Sequence, residues 1–254
     1  MTNKPTRPSL IEPNPWTALK QFTSARIALG RVGSSLPTDE ILRFGLAHAA
    51  ARDAVHAPLD FAALERELTI ANFASLRVES CVSDRYTYLL RPDLGRELRA
   101  ECRATLTSLA PHTRDTVFVI ADGLSAFAVQ RHAVPLLVAL RGLLPDTFEI
   151  PPIILAHQGR VALGDAIGEA LSARCVVMLI GERPGLSSPD SLGVYLTYAP
   201  KIGRRDAERN CVSNIRPEGL SYGVAARKIN WLLQTSLRLA LSGVALKDES
   251  ELLE

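Results

Sequence analysis

Side chains able to attack, move protons or hold a metal are few in this chain and lie far apart. The best candidate nucleophile is Ser125, in Gly123-Leu124-Ser125-Ala126-Phe127. This segment lies between two apolar stretches, the strand–turn–helix setting in which an elbow presents a serine hydroxyl. Asp146 and His157 follow in the order that such hydrolases use, but Phe127 stands where the last glycine of an elbow belongs. The preceding run is also the first strand of its sheet, whereas an elbow follows several, so capping of the next helix is favoured for Ser125. Five histidines, His48, His56, His112, His132 and His157, form no HExxH and no close-spaced pair to hold a metal. His157 directly follows a strand, and a loop imidazole bonded to backbone is its favoured role. Four cysteines, Cys81, Cys102, Cys175 and Cys211, form no CxxC pair, which fits reduced thiols better than a disulfide frame or a zinc site. Cys211 has no base beside it. Glu182, next to Arg183, is a carboxylate at the tip of an apolar run. It can accept hydrogen bonds from a ligand or pair with Arg183, and the sequence weighs the two evenly. A binding subunit fits this distribution better than a self-sufficient enzyme.

The elements that must position these residues are readable from three apolar runs, Thr116-Val117-Phe118-Val119-Ile120, Ile153-Ile154-Leu155 and Cys175-Val176-Val177-Met178-Leu179-Ile180. Short unalternating runs rich in Val and Ile suit strands buried on both faces, as parallel strands are. Each breaks into small and polar residues, and long apolar segments separate them, so the order is strand, helix, strand, helix, strand. In an open sheet of this kind the ligand crevice lies beyond the carboxyl ends of the strands. GxGxxG is absent there, although a helix start near Gly123 can hold an anion through free amides. The first crossover helix spans residues 122–144, with Pro135 expected to kink or interrupt it. The second, over 161–173, carries Gly164 and Gly168 four apart, for which tight helix–sheet packing is favoured over close approach of a flat ligand. Leu192 to Tyr198 and Cys211 to Ile215 read as further strands, and Ser221 to Leu241 as a closing helix.

Residues 1–15 carry Pro5, Pro8, Pro13 and Pro15 and read as an extended arm. Residues 16–110 look helical, with Asp39 and Glu40 placed to start one helix and Asp60 to cap another. A stripe of Leu94, Leu98, Cys102 and Leu106 makes Cys102 a core residue. A soft boundary near Pro111 leads to an α/β domain over 111–254. The expected class is therefore α/β, a Rossmann-like open, mostly parallel sheet flanked by helices and preceded by a helical N-terminal region. A net charge of +2 across 254 residues gives no case for nucleic acid. No apolar stretch is long enough for a bilayer, and no signal peptide is visible, so a cytoplasmic location is expected.

Several segments together carry a family resemblance: Asn14-Pro15-Trp16, Thr23 to Arg31, Arg91-Pro92-Asp93-Leu94-Gly95-Arg96, Ala121 to Ala126, Gly181-Glu182-Arg183-Pro184-Gly185-Leu186 and Asn210-Cys211-Val212-Ser213-Asn214-Ile215. Taken in order, they resemble the ethanolamine ammonia-lyase small (light) subunit family, over the whole chain apart from the short arm. The resemblance implies an adenosylcobalamin-dependent carbon–nitrogen lyase that converts ethanolamine to acetaldehyde and ammonia. It implies a large-subunit partner, a TIM barrel that holds the substrate and handles the radical. The cofactor lies between the subunits, and the positions matching the family's cobalamin contacts are Val161, Glu182 and Cys211. No catalytic residue is implied in this chain. A broad corrin would also give Gly164 and Gly168 a reason. An Asp-x-His-x-x-Gly signature for replacing the cofactor's lower base is missing, because Leu155 stands where its Asp belongs relative to His157. A longer N-terminal extension in enteric relatives is associated with packing into a bacterial microcompartment, and the short arm here leaves encapsulation open. The main rival expectation is a non-catalytic α/β nucleotide- or cobamide-binding regulatory module.

Overall fold

The computed structural model describes residues 10–109, 114–145 and 147–250. The expected boundary at Pro111, His112, Asp146 and residues 1–9 of the arm lie outside them. Two compact units divide the chain, one running to Asp53 and including Gly185–Ser188, the other holding Ala54–Pro184 and everything from Pro189 onward.

In the first unit a 3-10 helix, Pro15–Phe22, starts on Asn14, whose side chain accepts the Trp16 N–H at 2.9 Å. Helix α1 (Thr38–His56) begins on Asp39 and Glu40 as expected. Asp39 also pairs with Arg43 one turn on, at 2.9 Å. Ala54, where the helix has run past the end of the first unit, is its one buried residue among those described.

The second unit is built on one six-stranded sheet, ordered β1 (Ser75–Glu79), β3 (Ile153–His157), β2 (Arg114–Ala121), β4 (Ala173–Gly181), β5 (Leu192–Tyr198) and β6 (Arg209–Ile215). The first four are mutually parallel, and β5 runs antiparallel to both β4 and β6. The class is thus α/β with a mostly parallel sheet. Strand β1 is the element missed within the stretch read as helical, because Ser75-Leu76-Arg77-Val78-Glu79 lies at an edge and its polar residues break up the apolar run.

Alternation along the strands supplies both faces of the core. Phe118, Ile120, Leu155, Val177 and Leu179 point to one side, where α2 (Phe61–Ile70), α5 (Ala126–Arg141) and α7 (Tyr222–Leu239) cover them. Val117, Val119, Ile154, Val176 and Met178 point to the other, covered by α4 (Ala100–Ser108) and α6 (Leu163–Ala170). Helix α5 runs on through Pro135, which lies on its exposed side, so the prolyl ring neither ends the helix nor enters the core. Short helix α3 (Arg85–Leu90) is capped by Asp84, which accepts the Thr87 N–H at 2.9 Å. No helix among the described residues is long and apolar enough to cross a membrane.

The loops that matter most leave β2, β3 and β4 at their carboxyl ends. The chain steps from β2 outward to β3, then returns past β2 to β4, so strand order reverses at the β2/β4 pair. Such a reversal is where an open α/β sheet leaves a crevice.

A cleft at the carboxyl ends of the parallel strands

The crevice holds a cleft of about 440 Å³, whose lining includes Tyr88, Gly123, Arg160, Val161, Glu182 and Tyr195. Its floor is fixed by Asp122, which is buried where β2 ends. Asp122 Oδ1 accepts the N–H groups of Gly123 at 3.0 Å and Gly159 at 3.1 Å, and Oδ2 that of Gln158 at 3.0 Å. Burial pushes this carboxyl up, while the Gln158 amide, the Arg85 guanidinium and the Gly159 amide oppose that rise. The Gly123 amide is thus already satisfied, together with those of Gln158 and Gly159, and is not free to hold an anion. Gly123 and Gly181 bring β2 and β4 loops into backbone contact: a Cβ on Gly123 would lie 2.3 Å from the Gly181 carbonyl oxygen. With φ at +59°, position 123 needs glycine on conformational grounds as well.

One wall is a stack of aromatic and cationic groups. Tyr88 is buried, with the Arg160 guanidinium 4.1 Å and the Arg85 guanidinium 4.6 Å from its ring centre. Its hydroxyl donates to the Gly159 carbonyl at 3.1 Å, and Arg160 Nη2 donates to the Tyr88 carbonyl at 2.9 Å. Arg85 Nη1 reaches the Gly123 carbonyl at 2.8 Å, so α3 clamps the loops after both β2 and β3.

The opposite wall carries Glu182. Its Oε2 accepts the Ser191 hydroxyl and, at 3.2 Å, the Asn214 N–H. Those bonds answer the question left open by the sequence: Glu182 is anchored to β5 and β6, and no ion pair joins it to Arg183 among the described residues. Its Oε1 takes no hydrogen bond from them. Val161, at the entry to α6, and Glu182 line the same cleft, whereas Cys211 does not. Cys211 sits exposed on edge strand β6, directly opposite Tyr195 of β5, and it is Tyr195 that reaches the cleft.

Arg209 enters the same face from below. Its Nη1 and Nη2 donate to Asp165 Oδ1 at 2.5 Å and Oδ2 at 2.7 Å, a two-pronged ion pair in which the two side chains are 2% and 1% exposed. Thr197 Oγ1 and the Arg204 carbonyl accept two more guanidinium bonds. This pair ties α6, four residues past Val161, to the strand that carries Cys211.

Other sequence candidates resolve into structural roles. Ser125 is fully buried, accepts the Ala128 N–H at 3.3 Å and donates to the Pro189 carbonyl at 2.8 Å, so it caps α5. His157 lies edge-on to Phe61, with ring centres 5.3 Å apart, and does not line the cleft. Gly164 faces Val176 and Met178, and a Cβ on Gly168 would come 2.5 Å from Pro200. The two glycines therefore serve packing inside the protein, and the idea that they admit a corrin is withdrawn. Sequence reasoning missed Tyr195, Tyr88, Asp122 and the Asp165–Arg209 pair. For Tyr195 a signal existed, since period-two alternation along Leu192–Tyr198 puts Gly193, Tyr195 and Thr197 on one face.

A family model for the ethanolamine ammonia-lyase light chain (EutC) matches residues 13–247. A protein of Azotobacter vinelandii named ethanolamine ammonia-lyase small subunit is 57% identical over 242 residues, 94% of this chain and 90% of the relative. Proteins of the same name from Pseudomonas fluorescens and Ralstonia nicotianae are each 53% identical, over 249 and 248 residues. These alignments cover 96% of this chain in both cases and 91% and 92% of the relatives. Matched over nearly its whole length, cleft included, the chain belongs to the ethanolamine ammonia-lyase light-chain family.

Proposed function

We propose that this chain is the small subunit of an adenosylcobalamin-dependent ethanolamine ammonia-lyase and closes over the cobalamin at an interface with a large subunit. Family membership is the observation that carries this reading, and the cleft supports a place for it. A corrin offers a flat ring whose rim bears primary amides, so its site needs aliphatic surface together with donors and acceptors. Val161 supplies aliphatic surface, Glu182 Oε1 an uncommitted acceptor, and Tyr195 and Arg160 supply donors, all on the lining of one cleft. These residues fit the cofactor.

When bound, adenosylcobalamin supplies the radical chemistry through its cobalt–carbon bond. The residues of this chain bind, orient and exclude water. Glu182 anchors a polar group at the rim, Val161 packs against an apolar face, and Cys211 supports Tyr195 from the neighbouring strand. No proton transfer falls to this chain, and substrate-handling groups come from the large subunit. No imidazole among the described residues lines the cleft, so no histidine of this chain would be the residue that holds the cofactor's metal. A paramagnetic resonance spectrum showing coupling to labelled histidine nitrogen of this chain would overturn that assignment.

The decisive experiment mixes this chain, a large subunit, adenosylcobalamin and ethanolamine. Acetaldehyde should form only with both chains present, and turnover by this chain alone would refute the proposal. Replacing Glu182→Ala should weaken cobalamin retention about tenfold or more, the loss expected for a hydrogen bond to a charged group, while leaving assembly intact.

A further inference from the structure

Among the described residues His132 is the one buried histidine, and it lies on α5 away from the cleft lining. Its Nδ1 is 2.7 Å from the hydroxyl of Tyr222, the first residue of α7. Its Nε2 has no hydrogen-bond partner and faces Asp190 Oδ2 at 3.6 Å. Burial holds the imidazole below its usual pKa, against the pull of the Asp190 carboxylate, so the ring is neutral at neutral pH. Tyr222 keeps its proton, since burial, Asp190 and Glu218 push the phenol up. The tautomer that suits both neighbours has the Tyr222 hydroxyl donating to Nδ1 and the Nε2 proton aimed at the carboxylate. A buried N–H with no bond of its own is costly, and the Asp190 charge is what offsets that cost. Asp190 stands between two fixed residues. The Pro189 carbonyl accepts the Ser125 hydroxyl at 2.8 Å. The Ser191 hydroxyl donates to Glu182 Oε2, and the Ser191 carbonyl accepts the Glu182 N–H at 3.0 Å. Arg131 also bonds Asp190 Oδ2, at 2.8 Å, but its side chain is 59% exposed, and an ion pair in water holds weakly.

We propose that His132 is a positioning residue for Glu182: with its ring set by Tyr222, it holds Asp190 from inside α5 and so fixes the 189–191 segment, whose last member, Ser191, clamps the carboxylate. His132 itself touches no ligand. An apolar side chain at this place on α5 would fill the same space but could not draw a carboxylate inward, which gives the buried imidazole its reason. The inference rests on the cobalamin reading above for what Glu182 holds, and adds the remote group that sets this anchor.

The test uses the complex of both subunits and measures the cyanocobalamin Kd by equilibrium dialysis, with each variant made alone and together with Glu182→Ala. His132→Phe should raise Kd about threefold to tenfold when Glu182 is present and leave it unchanged in the Glu182→Ala background, the coupling expected of residues that act through one another. A merely structural loss would weaken binding equally in both backgrounds. His132→Gln should bring Kd back to within about twofold of the wild type, because its amide can accept from Tyr222 and donate toward Asp190. Tyr222→Phe, at a half-buried ring, keeps the question open to measurement should His132→Phe fail to fold, and its effect should depend on Glu182 in the same way. Wild-type Kd values for both His132→Phe and Tyr222→Phe, or equal increases with and without the Glu182 carboxylate, would overturn the positioning role while leaving the cobalamin reading standing. Failure of the wild-type complex to bind cyanocobalamin at all would overturn both.

Discussion

Helices α1 and α5 are both rich in apolar residues, yet they treat them in opposite ways. Of the 16 residues of α5, 9 are buried between sheet and α7. In the 19-residue α1 the stripe of Leu42 and Leu46 stays 67% and 73% exposed, and in the preceding 3-10 helix Trp16 and Phe22 are 66% and 77% exposed. Apolar periodicity thus identifies a face that can be buried, but not whether the same chain supplies the cover. In the α/β unit the sequence pattern translates into stability. In the first unit it translates into surface.

Five measurements sharpen or break this contrast. The largest effect is expected for Asp165→Ala, which leaves the Arg209 guanidinium buried without its carboxylate, at a cost of about 3–5 kcal/mol in urea unfolding. Joint replacement of both residues by Leu and Met should recover much of that loss, since a buried ion pair is weak in net terms once both charges go. Ser125→Ala should cost about 1 kcal/mol through the lost cap of α5, with ester hydrolysis neither present before nor lost after.

A pH titration gives a smaller, local effect at α3. The Thr87 backbone and the Ser83 and Thr87 side chains bond Asp84 and lower its carboxyl from 3.8 to about 2. A carboxyl lower in the folded than in the unfolded chain stabilises above the unfolded value and loses that contribution as pH falls. The protection factor of the Thr87 amide, its exchange relative to the intrinsic rate at each pH, should therefore fall between pH 3.8 and about 2, and an unchanged factor across that window would deny the cap. The smallest effect is expected for Leu46→Ala, within about 0.5 kcal/mol for the isolated chain. A loss above about 2 kcal/mol there would mean the stripe is already covered, and the contrast would fail.

Legibility followed the same divide. Unalternating runs at Thr116, Ile153 and Cys175 marked β2, β3 and β4 because strands buried on both faces cannot admit polar residues. Strand β1, with Arg77 and Glu79 on an edge, carried no such mark. The loops at the strand ends were visible through their Gly and Pro, and Glu182 and Val161 turned out to line one cleft. Tertiary partners were not visible: nothing local pairs Asp165 with Arg209, 44 positions apart, or gives Asp122 its three amides. Cys211 shows the limit of reading along a chain, since its place on the sheet face depends on register with Tyr195.

Asp122 joins the turns that follow two different strands through one carboxylate. A rim tied in this way is rigid before any ligand arrives, so little ordering entropy is lost when one docks. Binding of a ligand at this rim should then proceed without rearrangement of these turns.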